Sequence, residues 1–107
     1  MVSKMSKDSL ARSIAILQAI QAFKRIVSWC SSEITVYNMY HEDTIENPFD
    51  KYINVFETGD VTVIEHFAKA LLREAWIHRK YWTNRKQFEV ILYDFNAELN
   101  ILKNLRK

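Results

Sequence analysis

Between residues 9 and 40 the apolar side chains Ile16, Ile20, Phe23, Val27, Cys30, Ile34 and Tyr37 recur at alternating steps of four and three. That is the period of one helix face, and at about 100° per residue the seven fall within a narrow arc. A second line, Ala15, Ala19, Ala22, Ile26 and Trp29, keeps the same steps beside the first. Small alanines let another helix approach closely, so this apolar arc has room for two neighbours. Gln18, Gln21, Arg25, Ser28 and Ser32 make up the opposite, solvated face. The β-branched run near the end, "EITVYNMY", has strand character. The stripe nevertheless continues through Tyr37 and predicts helix to Tyr40.

Residues 41–47, "HEDTIEN", read as an acidic connector. Asn47 and Pro48 then form a helix start, a capping oxygen followed by a ring that needs no donor. Phe49, Tyr52, Ile53 and Phe56 follow at i, i+3, i+4 and i+7, and Gly59 supplies a left-handed stop. A short second helix of about three turns is predicted there. Thr62 to Glu65, "TVIE", matches a capping box, with Asp60 the competing cap. The third helix presents Ile64, Phe67, Ala68, Leu71, Ala75, His78 and Trp82 inward, and it ends around Trp82. Thr83 or Asn84 caps a fourth helix, whose stripe is Phe88, Ile91, Leu92, Phe95, Leu99 and Leu102.

Composition supports the same picture. The 107 residues include one glycine and one proline, whereas sheets need turn residues about every 8–12 positions. Few, long elements follow. The predicted fold is all-α, a compact antiparallel bundle of three long helices and one short one in a single domain over 1–107, with a polar N-terminal tail at 1–8. Apolar residues at 49% against 26% charged place the chain among globular proteins. No run approaches the roughly 18 apolar residues that span a bilayer. Cys30 is the lone cysteine, which rules out an intrachain disulfide and fits a reducing, cytosolic setting.

The net charge of +2 conceals an uneven distribution: +4 over residues 1–30, −6 over 31–60 and +4 over 61–107. The basic residues of the last third gather around "HRKYWTNRK". Lys69, Arg73 and Lys80 share one outward helix face, Trp76 flanks it, and Arg85 and Lys86 follow the turn. Cations that track phosphates beside an aromatic that stacks on a base form a coherent nucleic-acid surface. The bland reading is a solvated helix corner.

"REAWIH" places Arg73 five positions before His78. It resembles the R-x4–6-H signature of HEPN ribonucleases, small helical bundles that often work as dimers. The resemblance covers six residues and implies that Arg73 and His78 act together on an RNA phosphate. Five steps along an unbroken helix turn the two apart by roughly 140°, and His78 falls on the apolar stripe. His41, Glu42, Asp43 and Glu46 are oxygen-rich, yet their spacing matches no zincin, EF-hand or di-iron pattern, so neither metal nor cofactor is expected.

The last helix carries a second apolar line, Val90, Tyr93, Ala97 and Ile101, on the back of its stripe, with Leu105 on one flank. Leu10, Ile14 and Leu17 lie similarly off the main arc of helix one. Helices with surplus apolar perimeter are covered by something, either internally, one of them by helix two, or by another chain. The sequence is therefore read as a non-enzymatic protein that binds other proteins, a regulator, adaptor or inhibitor, and self-associates as a dimer. Nucleic-acid binding through residues 69–86 is the alternative, and a HEPN-type ribonuclease the third reading.

Overall fold

The computed structural model describes the backbone of residues 3–52 and 61–106, with side chains over 10–52 and 61–104. With neither proline nor glycine before residue 48, one helix, α1, runs from Ser3 to Tyr40. It starts earlier than its apolar stripe because Lys4, Met5 and Lys7 are straight-chain residues that lose little freedom in a helix. The polar segment before Ser9 thus contributes helix from Ser3 onward. α2 spans Val61–Ile77 and α3 spans Arg85–Arg106. No strand occurs among the described residues. The molecule measures 63 × 25 × 18 Å. A 38-residue helix at about 1.5 Å per residue accounts for that long dimension, so α1 is the spine.

After Tyr40 the chain turns back along α1. Asn38 and Ile45 exchange two hydrogen bonds, the Asn38 amide donating to the Ile45 carbonyl at 3.0 Å and the Ile45 N–H to Asn38 Oδ1 at 2.9 Å. Asn47 serves as the expected cap, accepting from Phe49 N–H at 2.9 Å while its amide donates to Ser31 Oγ at 2.7 Å. A single 3-10 turn occupies residues 50–52, and the rest of the predicted short helix, including Gly59, lies outside the described residues. Phe49 and Tyr52 are buried, and Tyr52 packs 6.3 Å from Phe23 of α1 and 6.4 Å from Phe67 of α2.

α2 begins at Val61, so Thr62 sits inside the first turn and does not precede it. Asp60, the competing cap, lies outside the described residues. At its other end α2 tightens into a 3-10 turn over His78–Tyr81, closed by Trp82 N–H donating to the Arg79 carbonyl at 3.1 Å. Trp82 then turns extended (φ −73°, ψ 127°), drops into the core against Trp29 and Phe88, and ends the helix where its stripe predicted.

The core follows the two stripes of α1. Phe23, Val27, Cys30 and Ile34 are buried, and so are Ala15, Ala19, Ala22 and Ile26 on the small-residue line. Phe88, Ile91, Phe95, Leu99 and Leu102 of α3 pack against that line, with Phe95 edge-on to Phe23 at 5.4 Å. Trp29 meets Phe88 and Phe23 meets Phe95, so α3 runs antiparallel to α1, with Arg25 pairing Asp94 at 3.9 Å between those levels. α2 contributes Ile64, Ala68, Leu71 and Ala75.

One polar group ties α1 to the turn that leads into α3. Glu33 is 9% exposed, and its carboxylate accepts from Thr83 N–H at 2.9 Å, Thr83 Oγ at 3.0 and 3.1 Å, and Asn84 N–H at 3.4 Å. Asn84 caps α3, its Oδ1 accepting from Gln87 N–H at 3.0 Å. An anion at a helix N-terminus meets both free amides and the positive end of the dipole. Burial, and then the neighbouring Glu33 charge, push the Cys30 thiol up to about 12.

Two predictions follow from this tie. Glu33→Ala leaves the Thr83 and Asn84 amides without their acceptor and should lower unfolding stability by about 2–3 kcal/mol in urea titration, with Glu33→Gln losing less. Cys30 binds its proton more tightly folded than unfolded, so its contribution is full below about pH 9 and drains as pH rises toward 12. Stability should therefore fall above pH 9, with a shallower slope in Cys30→Ala; equal slopes would refute the assignment.

Candidate functional site

The packing that buries one side of α3 leaves the other to water. Val90 is 61% exposed, Tyr93 75% and Ile101 43%, and Ala97 is exposed between them. Leu105 lies outside the residues whose side chains are described. On α1, Leu10, Ile14 and Leu17 are exposed as well. The Arg25–Asp94 pair and a groove of about 360 Å³ lined by Gln18, Gln21, Ala22, Arg25, Asp94, Ala97 and Glu98 set the levels of the two helices. Gln18 stands level with Glu98, so one turn further along Ile14 stands level with Ile101. Leu10, Ile14 and Leu17 of α1 therefore gather at the end of the pair where Ile101 stands, while Val90 lies toward the other end.

The same face is hollow at its other end. Arg25, Ser28, Trp29, Ser32, Gln87, Val90, Ile91 and Asp94 enclose a depression of about 510 Å³. Trp29 forms part of its floor, stacked on Phe88 at 5.5 Å. Residues 45–52 do not roof this face. They lie against α1 and α2 instead, through Ser31, Phe23 and Glu74. Within the groove, Glu98 has one carboxylate oxygen that is shielded from solvent and makes no hydrogen bond among the described residues.

The second candidate surface is the outward side of α2. Lys69, Arg73, Trp76 and Lys80 are all exposed there, with Arg85 and Lys86 exposed beyond the turn. Arg79 belongs with them, although helical projection puts it off the line. Its guanidinium lies 3.9 Å over the Trp76 ring and donates to the Trp76 carbonyl at 2.7 Å. The side chain lies back over the indole, so one aromatic face of the patch is already covered by the protein's own cation.

The Arg73 and His78 pair does not come together in one site. Arg73 is exposed on the outer side of α2, whereas His78 is half-buried with its ring edge-on to Phe49 at 5.7 Å. His78 Nδ1 donates to the Glu74 carbonyl at 2.8 Å, which places the proton on that nitrogen. Around it a cleft of about 480 Å³ is lined by Ile45, Glu46, Asn47, Pro48, Lys51, His78 and Tyr81. Lys51 donates to Glu74 at 3.0 Å, and that bond holds its ammonium above the ordinary lysine range. In the acidic connector, His41 stacks on Tyr37 at 3.9 Å and bonds its carbonyl at 2.9 Å. Among the described residues no three His, Cys, Asp or Glu side chains converge to hold a metal ion, and no helix is long and apolar enough to cross a membrane.

No family model, curated protein or solved structure matches this chain. Its candidate site therefore stands on geometry. Sequence reasoning found the apolar lines and the basic face but missed Glu33, Glu98 and the Lys51–Glu74 pair. A signal for Glu33 existed, because it continues the four-three steps of Ala22, Ile26 and Trp29 and puts a charge on an apolar line.

Removal of the Arg79 guanidinium should uncover Trp76. Acrylamide quenching of tryptophan fluorescence is expected to rise in Arg79→Ala and less in Arg79→Lys, and unchanged quenching would contradict the stacked geometry.

Proposed function

We propose that the protein is non-enzymatic and acts by docking onto other protein surfaces through the outer face of the α1–α3 pair, in the manner of a small regulator, adaptor or inhibitor. The observation that carries this reading is the exposure of Leu10, Ile14, Leu17, Val90, Tyr93 and Ile101 on two neighbouring antiparallel helices. Single exposed apolar residues are ordinary; an array spread over two packed helices is a mark of an interaction surface. Fully burying a large apolar side chain is worth about 1.5–3 kcal/mol, so covering half of six such residues yields about 5–9 kcal/mol. Association costs an estimated 4–15 kcal/mol in lost rigid-body freedom alone. Contact by the apolar residues is thus of the right size but needs a shaped and charged complement, which the hollows beside Trp29 and Glu98 offer. A lone, buried cysteine supports a reducing, cytosolic setting for such a protein.

Nucleic-acid binding is the second reading, favoured by the exposed run of Lys69, Arg73, Trp76 and Lys80. Phosphate-led binding weakens steeply with salt, and Arg73→Ala with Lys80→Ala would lower that slope.

The two readings separate by where the damage is done. Leu17→Glu with Ile101→Glu should leave urea stability within about 0.5 kcal/mol, since both side chains are exposed. The same pair should abolish protein cross-links formed in cells, while Trp76→Ala with Arg73→Ala leaves them intact. Cross-links that survive the first pair and vanish with the second would overturn the docking face.

A further inference from the structure

The exposed face of the α1–α3 pair has a feature that its apolar content alone does not explain: knobs at one end and a hollow at the other. Leu10, Ile14 and Leu17 project from the end near Ile101, and the depression floored by Trp29 and Ile91 lies toward the opposite end. The polar groove between them runs from Gln18 to Arg25 on α1 and from Glu98 to Asp94 on α3. Its midpoint is at Gln21, Ala22 and Ala97, where small side chains make the surface low.

We propose that this face receives a second copy of the chain, antiparallel, about a two-fold axis at the level of Ala22 and Ala97. The inference rests on the docking reading above and names its partner. A two-fold there exchanges the level of Arg25 with the level of Gln18 and Glu98. Each α1 then lies over the partner's α1, and the Arg25 guanidinium, which already reaches across the groove to Asp94 on α3, comes to the level of the partner's Glu98. The knobs of one copy meet the hollow of the other at both ends, which is the self-complementary pattern of an isologous interface.

Charge decides between this arrangement and the parallel one. In a parallel pairing Arg25 would face Asp94 across the interface, a partner each chain already holds at 3.9 Å. It would gain nothing, set knobs on knobs and hollow on hollow, and leave Glu98 as it stands. The antiparallel pairing supplies a cation to a carboxylate that has one shielded oxygen without a hydrogen bond. A partly desolvated anion is costly until a cation approaches it. Arg25 is suited to that reach, since its side chain is 61% exposed and its own pairing is loose.

Size agrees as well. From Leu10 to Ser32 the strip is about 33 Å long, and two packed helices are about 20 Å wide. That footprint of about 650 Å² per copy sits at the low end of the roughly 600–1,000 Å² per partner found in stable protein interfaces.

Reversal of charge tests the proposal. The full chain at about 100 µM should show twice its monomer mass by size exclusion with light scattering. Arg25→Glu alone and Glu98→Arg alone should each be monomeric and remain helical by circular dichroism, because each sets like charges against each other at both ends of the groove. Mixed one to one, the two variants should form a heterodimer. A monomeric wild-type chain overturns the proposal, and so do single variants that stay dimeric or a mixture that stays monomeric. Rescue of Arg25→Glu by mixing with Asp94→Arg, and not with Glu98→Arg, would assign the parallel pairing instead. Cross-links to other proteins lost in Leu17→Glu with Ile101→Glu, in a chain that is itself monomeric, would remove the second copy while leaving the docking face.

Discussion

The buried carboxylate of Glu33 is the constraint on which the arrangement of the helices depends. Apolar packing sets which faces meet, but it is non-directional and tolerates sliding. Hydrogen bonds do not. By accepting from Thr83 and Asn84, fifty and fifty-one residues away, Glu33 fixes where on α1 the turn between α2 and α3 sits. Burying a carboxylate is unfavourable unless its oxygens are satisfied. Here the amides at the start of α3 supply what water would have supplied, and the carboxylate supplies an acceptor to groups that no helix can satisfy internally. Each needs the other.

From that tie the remaining levels follow. With Thr83 held at Glu33, Phe88 meets Trp29, Phe95 meets Phe23 and Asp94 meets Arg25, each step moving down α1 as α3 advances. The alanine line of α1 is what allows α3 to sit close enough for those rings to interlock. Residues 45–52 and α2 then close the other side of the spine around Phe49 and Tyr52. Nothing among the described residues covers the third side, where Arg25, Asp94, Ile14 and Ile101 lie. The docking face is therefore a by-product of how completely the other two sides are filled.

Much of this was legible in the chain. Four-three periodicity in α1 and α3 marked the buried residues, and Trp82 marked the end of the helical run formed by α2 and the 3-10 turn after it, because these depend on the local period alone. Asn47 was readable as a cap for the same reason, and the cap of α3 was readable as Thr83 or Asn84, of which Asn84 serves. Less legible were features that need two distant segments at once. Glu33 looked like one more charge near a helix end until Thr83 came to meet it. Arg79 lies off the line of Lys69, Arg73 and Lys80 on an ideal helix, and its contact with Trp76 three positions earlier is what joins it to the basic face. For the site, sequence pointed to the exposed lines on α1 and α3 separately; that Ile14 and Ile101 stand at one level depends on the antiparallel arrangement set by Glu33.

An account in which the outer side of α1 and α3 is the working surface makes a spatially specific claim. Methyl NMR spectra recorded across a dilution series test it most directly. Signals of Ile14, Leu17, Val90 and Ile101 should move with concentration while that of Ile77, exposed on α2, stays in place. Spectra in which Ile77 moves and the four others do not, or in which none of them moves, would contradict it.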